Sequence, residues 1–172
     1  MQIDIGFGDT VTPPPVETSF PTILNGPAPL LLAYPKETVV AEKFEAMVKL
    51  GMANSRMKDF HDLRSLSQLF PFDGEVLAEA IMRTFERRKT ALPTIAAPPR
   101  AFTSEFFEDE SKQRQWAAFN TKNRLYIEAV PLPRVVSDIE RFFMPLLTGL
   151  TTEGYQKMSW PAGGPWQDYP TL

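Results

Sequence analysis

Four carboxylate or ammonium side chains, Asp4, Lys43, Asp59 and Asp62, could do chemistry together, and two of them, Lys43 and Asp59, stand where an apolar residue belongs. Asp4 lies in "IDIGFGD", where Ile3, Ile5 and Phe7 alternate with Asp4, Gly6 and Gly8 as in a half-buried strand. The aspartate therefore faces away from the packed side, with glycines leaving space beside it. Lys43 lies in "YPKETVVAEKFEAMV", whose apolar stripe is Val40, Phe44, Met47 and Val48 at helical spacing. With about 100° of rotation per residue, Lys43 falls between Val39 and Met47, roughly 60° from the centre of that stripe. Asp59 falls inside the apolar sector of the following helix, between Leu66 and Phe70, with Asp62 nearer its edge and His61 pointing the other way.

A single charge on an apolar face is costly to bury, whereas an opposite pair is tolerable. Two uses of such a pair stand side by side. Lys43 and Asp59 can form a buried ion pair that fixes how two helices pack. Alternatively, both line a cleft in which the ammonium meets an anion, phosphate above all, and the aspartate orients it. The residue pattern does not choose between them.

Composition narrows the chemistry. The 172 residues are 43% hydrophobic and 23% charged, enough for one globular domain with a real core. A net charge of -3 provides no global attraction to nucleic acid, so phosphate binding has to come from a local basic cluster. No cysteine is present, which removes disulfides, thiolate nucleophiles and Cys-ligated zinc, and a single His argues against a His-based metal site. No run approaches the roughly 18 apolar residues of a membrane span, and the start lacks the features of a signal peptide. A cytoplasmic protein is expected. Because the chain opens inside a strand-like pattern, part of a domain is expected upstream of Met1.

The elements that must position these residues follow from periodicity and breakers. Six prolines between residues 10 and 29 exclude helix and central strand, and "PLLLAY" (29–34) suits a short strand. Pro35 suits the first turn of a helix with Glu37 near its positive end. A second helix is expected over 58–69, with Phe60, Leu63, Leu66 and Phe70 inward, and a third over 73–89, with Val76, Leu77, Ile81 and Phe85 inward. Two more are expected, at 103–120 and 135–147. The tail "WPAGGPWQDYPTL" is either a docked arm or a frayed end. Three segments result: 1–34, a sheet remnant with a Pro-rich loop; 35–150, helical and carrying Lys43 and Asp59; and 151–172, the aromatic tail.

"IDIGFGD", "YPKETVVAEKFEAMV" and "RMKDFHDL", in this order and spacing, resemble the AbiEii/AbiGii nucleotidyltransferase toxin family. The resemblance runs from residue 1 to about 90. It implies an α+β fold, with part of a mixed nucleotidyltransferase-like sheet followed by a mostly helical C-terminal region. Position by position, Asp4 resembles the third carboxylate of the site and a metal ligand, and Lys43 the lysine that contacts nucleotide phosphates. Asp59 resembles the aspartate of the last motif, with Asp62 its companion. The implied activity is Mg²⁺-dependent transfer of a nucleotide from a nucleoside triphosphate to an RNA acceptor such as tRNA. The implied setting is a toxin–antitoxin or phage-defence (abortive infection) system with a cognate antitoxin protein as partner.

Two departures qualify this. His61 stands where the family more often has Tyr, which makes it a packing or rim residue. The family's Gly-Ser (or Gly-Gly) helix start and Asp-x-Asp strand, whose aspartates hold the metals, are absent from the chain. A C-terminal portion of a nucleotidyltransferase is expected, truncated or begun from an internal methionine. The alternative is a catalytically inactive helical module that binds an antitoxin or competes with an intact toxin. Asp9 reads as a turn former, and "ERRK" (86–89) with Arg83 as a solvated helix end rather than an RNA contact. Trp116, Phe119 and Tyr126 read as core aromatics before base-stacking ones.

Overall fold

The computed structural model describes residues 11–22, 26–151 and 157–169. Asp4, Asp9 and the strand expected at 3–7 lie outside these residues.

The described chain is α+β, with two small antiparallel sheets and six helices. The first sheet is a hairpin of β1 (Val16–Ser19) and β2 (Leu30–Ala33), with Val16 opposite Ala33 and Ser19 opposite Leu30. Prolines at 13–15 and 21 bracket β1, a placement open to a strand with a free edge but not to a central one.

Helix α1 (Lys36–Leu50) begins after Pro35, carries Glu37 in its first turn and Lys49 in its last, and stops at Gly51. Gly51 has φ 47°, a left-handed conformation that glycine adopts without a Cβ penalty, and its N–H donates to the Met47 carbonyl. Of the stripe read from the sequence, Val40, Phe44 and Met47 are fully buried and Val48 partly so, with Ala41 buried beside them. Helix α2 (Met57–Leu69) buries Phe60 and Leu63, with Leu66 partly covered. Phe70 is 44% exposed and does not join them, because the backbone turns extended at that residue (φ -126°, ψ 144°) and the helical phase is lost.

Helix α3 (Gly74–Arg88) is capped by Asp73, whose carboxylate accepts from the Val76 N–H at 3.1 Å. Its inner face is Leu77, Ile81 and Phe85, and Phe85 lies 5.6 Å from Phe44 of α1. The single helix expected over 103–120 is two, α4 (Ser104–Phe107) and α5 (Glu110–Asn123). Asp109 causes the break by capping α5 through the Lys112 N–H. Helix α6 (Leu132–Thr151) outruns the expected 135–147 at both ends and keeps Pro145 inside it.

The tail is a docked arm. After β3 (Phe72–Asp73), strands β4 (Met158–Trp160) and β5 (Gln167–Asp168) complete a three-stranded sheet in the order β3-β4-β5, with Phe72 opposite Trp160. Trp160 donates its indole N–H to the Ser67 carbonyl at 2.6 Å and Trp166 to the Phe142 carbonyl at 2.8 Å. Both rings pack on Phe142, with centroids 4.9 and 5.7 Å away.

Phe44 is the joint between these parts. Its ring stacks on Phe143 of α6 at 3.9 Å and meets Phe85 of α3, all three being buried. Truncating such a side chain removes transfer energy and leaves a cavity among aromatic neighbours that collapse poorly. Phe44→Ala is expected to lower unfolding stability by about 3–5 kcal/mol in denaturant titration. A loss under about 1 kcal/mol would show that α1 is not packed through this residue.

Candidate functional site

Helix α1 presents Lys43 to the N-terminal turns of α2, where Asp59 and Asp62 sit three residues apart and so share a face. The Lys43 Nζ donates to Asp59 Oδ1 at 2.6 Å and lies 2.9 Å from Asp62 Oδ2. Lys58, one turn before Asp62, donates to that same Oδ2 at 2.6 Å. Arg56 approaches the other oxygen of Asp59 at 3.6 Å. The cluster thus holds two carboxylates and three cations.

Its burial is partial: the Lys43 side chain is 21% exposed and that of Asp59 14%. Removal from water pulls the Lys43 pKa down, but the hydrogen bonds and charges of Asp59 and Asp62 outweigh it and leave the pKa raised. For Asp62, burial pushes the pKa up, and the bonds from Lys58 and Lys43 outweigh it, so its carboxyl lies below the ordinary range. Lys43 is therefore a fixed cation at neutral pH. Its chemistry is charge neutralisation, not proton abstraction.

The charges open on a cleft of about 300 Å³, to which Lys43, Asp59 and Arg56 contribute together with Tyr34, Thr38 and Arg88. Thr38 donates to the Thr12 carbonyl at 2.9 Å, tying the start of the described chain to this wall. Arg88 bridges Glu45 Oε2 at 2.9 Å and Glu42 Oε1 at 3.3 Å. Glu45 is buried, and the Thr90 hydroxyl donates to its other oxygen. Arg88 is thus held against one wall by carboxylates of α1, with Glu42 also lining the cleft.

Of the residues singled out from sequence, Lys43, Asp59 and Asp62 are brought together. Asp62 does not line the cleft; it grips Lys43 from behind. His61 stays at the rim, its ring 5.7 Å from that of Phe119 and Nδ1 3.5 Å from Asp62 Oδ1. Arg88 was misplaced by reading "ERRK" as a solvated end. Its partners Glu42 and Glu45 are more than 40 residues away on another helix, and no local pattern joins them. Arg83 does behave as read, pairing on the surface with Glu79 at 2.8 Å. Trp116 is buried with its N–H on the Val130 carbonyl at 2.7 Å, whereas Tyr126 is exposed.

A divalent ion needs converging oxygens with free lone pairs. Among the described residues, no group of three or more His, Cys, Asp or Glu side chains converges in that way. Asp59 and Asp62 already give oxygens to ammonium and guanidinium groups. The described residues therefore do not fit the Mg²⁺ that the resemblance implies. Asp4, the carboxylate assigned to that ion, lies outside them.

A family model for nucleotidyl transferase AbiEii toxin, type IV TA system, matches residues 1–139, which takes in the whole cleft and leaves out the larger part of α6 and the arm. No curated protein and no solved structure matches the chain.

The geometry makes removal of one aspartate less damaging than removal of both. Asp59→Ala leaves Lys43 with Asp62 and is expected to cost about 1 kcal/mol, whereas Asp59→Ala with Asp62→Ala strands the lysine and should cost about 3 kcal/mol. Replacing Lys43 by Met and Asp59 by Leu together should be close to neutral. The pH dependence follows from the signs. The Asp62 contribution is complete above the ordinary aspartate value of about 3.9 and is lost as pH falls through its depressed native pKa. That of Lys43 is complete below about 10.4 and is lost as pH rises through its raised one. Thermal melting across pH should show wild type above Asp62→Asn at neutral pH and the two converging in acid. A double alanine variant that melts with wild type would dismiss the cluster as a stabilising unit.

Proposed function

The chain belongs to the AbiEii nucleotidyl transferase toxin family of type IV toxin–antitoxin systems, and from that premise we propose that the Lys43 cleft receives the phosphates of a nucleoside triphosphate. The nucleotide would pass to an RNA acceptor, with tRNA the first to test. One observation carries this reading: an ammonium held in its charged form by two aspartates still opens on a cleft that Arg56 and Arg88 also line.

A triphosphate needs several positive groups that do not move far to meet it. Lys43 supplies a point charge oriented by Asp59 and Asp62. Arg88 supplies a planar donor anchored by Glu42 and Glu45, and Arg56 a more exposed one at the entrance. Asp4 is proposed as a further carboxylate of the site. A cognate antitoxin protein and a cytoplasmic location belong to the same proposal. No helix among the described residues is long and apolar enough to cross a membrane.

A second reading is favoured by a specific observation. The described carboxylates do not fit a divalent ion, and the sequence holds no Asp-x-Asp. Under that reading the chain is an inactive module that binds an antitoxin or competes with an intact toxin. Nucleotide binding separates the two better than turnover does.

Fluorescent ATP, titrated in the presence of Mg²⁺, should bind wild type and bind Lys43→Ala at least about tenfold more weakly, one charge-assisted contact being worth 1.5 kcal/mol or more. With labelled nucleoside triphosphates and total tRNA, this chain should transfer no label, because the Asp-x-Asp pair is missing. Unchanged ATP binding by Lys43→Ala would defeat the phosphate role. Robust labelling abolished by Lys43→Ala would show that the site is complete without that motif.

A further inference from the structure

On the opposite side of α2 a second charged group forms. Asp138 of α6 accepts from Arg64 Nε at 2.9 Å, a bond that ties the two helices together. Arg134 and Arg141, one turn before and one turn after on α6, lean on the other oxygen of Asp138 at 3.1 and 3.8 Å. Asp138 is only 9% exposed, while Arg134 and Arg141 are 65% and 56% exposed. Three guanidiniums thus share one carboxylate, and two positive charges remain uncompensated in a protein whose net charge is -3.

This surplus borders a concavity of about 300 Å³, closed on its other sides by Gln68 and Trp160. Among the described residues, Asp138 is the sole carboxylate in its lining. Arg64 bonds one oxygen of Asp138 and the two outer arginines share the other, where one of them would already be enough to pair it. Their lean on the shared oxygen restricts them, and among the described residues neither guanidinium pairs with another carboxylate. Such a set suits an oxyanion with several acceptor oxygens, a phosphate before a single carboxylate.

We infer that the Arg134–Arg141 concavity binds a backbone phosphate of the RNA acceptor. The inference rests on the RNA reading of the transfer site, which it deepens. Helix α2 carries both features. From Asp59 to Ser67 it rises about 12 Å, and passing to its other side adds a helix diameter of about 10–12 Å, a path that one strand covers in several nucleotides. A nucleic-acid phosphate is favoured over an acidic peptide because the pocket is small and two-pronged, and because phosphate contacts position a strand without reading its sequence.

The test uses total tRNA, fluorescent ATP with Mg²⁺, and poly-glutamate as separate probes. The Arg134→Ala/Arg141→Ala variant should bind tRNA about tenfold more weakly or worse, with a salt dependence shallower by about 1 per lost contact. Its ATP binding should stay at wild type, and Arg141→Ala alone, which leaves Arg134 on Asp138, should melt with wild type and still lose tRNA affinity. Arg134→Lys/Arg141→Lys should recover most of the tRNA affinity, since charge rather than packing is at stake. Wild-type tRNA affinity and salt slope in the alanine variant would overturn the inference. So would loss of ATP binding instead of tRNA binding, or poly-glutamate bound as tightly as tRNA and through the same arginines. Wild type that binds tRNA through this pair but binds no ATP would uphold the pocket while defeating the transferase reading.

Discussion

One ammonium shared by two carboxylates governs the geometry of the cleft. Lys43 on α1 and the Asp59/Asp62 face of α2 hold the two helices at a separation that leaves a cleft beside them. Neither helix could present its charge alone, because a half-buried ion without a counter-ion costs several kcal/mol. Two aspartates serve better than one for a residue that must remain charged. Each hydrogen bond restrains the lysine rotamer, and together they overcome the effect of burial on its pKa. Lys58 and Arg56 then more than offset the second negative charge, so the group keeps one positive charge in excess.

Behind the cleft, aromatic packing supplies the rigidity that a charged site cannot supply for itself. Phe44 follows Lys43 in sequence and points the other way, into Phe143 and Phe85. Phe142, next to Phe143, carries the stack on to Phe72, Trp160 and Trp166. The position of the lysine backbone is thus set by a run of rings crossing α1, α3, α6 and the arm. A change deep in this run would be felt at the ammonium through α1.

Much of this was legible in the sequence because the signals were local. Period 3.6 located the helices from α1 to α3, and a charge on the wrong face of each of two of them marked Lys43 and Asp59. The misses were of another kind. Asp109 as a cap split one expected helix into α4 and α5, a local signal that apolar periodicity alone does not carry. Phe70 obeyed the wheel only on the assumption that α2 continued through it. Arg88 and the Arg64–Asp138 bond depend on which helices touch, and their partners lie more than 40 and 70 residues away. The hairpin strand β1, inside a proline-rich stretch, needed the knowledge that β2 would pair with it from one side. The part assigned to Asp4 lies outside the described residues.

The end of α2 shows how the molecule has to be assembled. The Ser67 carbonyl, in the last turn of that helix, accepts from the Trp160 indole and from the Gly163 backbone N–H. Those donors are about a hundred positions later in the chain, although the acceptor belongs to the helix that bears Asp59 and Asp62. During synthesis, which proceeds from the N-terminus, α1 and α2 can meet long before the residues that seal the helix have left the ribosome. The nascent chain therefore passes through an interval in which the cleft's charged pair exists on a helix whose terminal carbonyl is satisfied only by water. Closure of this loop is a high-contact-order step, and the helix that bears Asp59 and Asp62 is sealed only when the arm has docked.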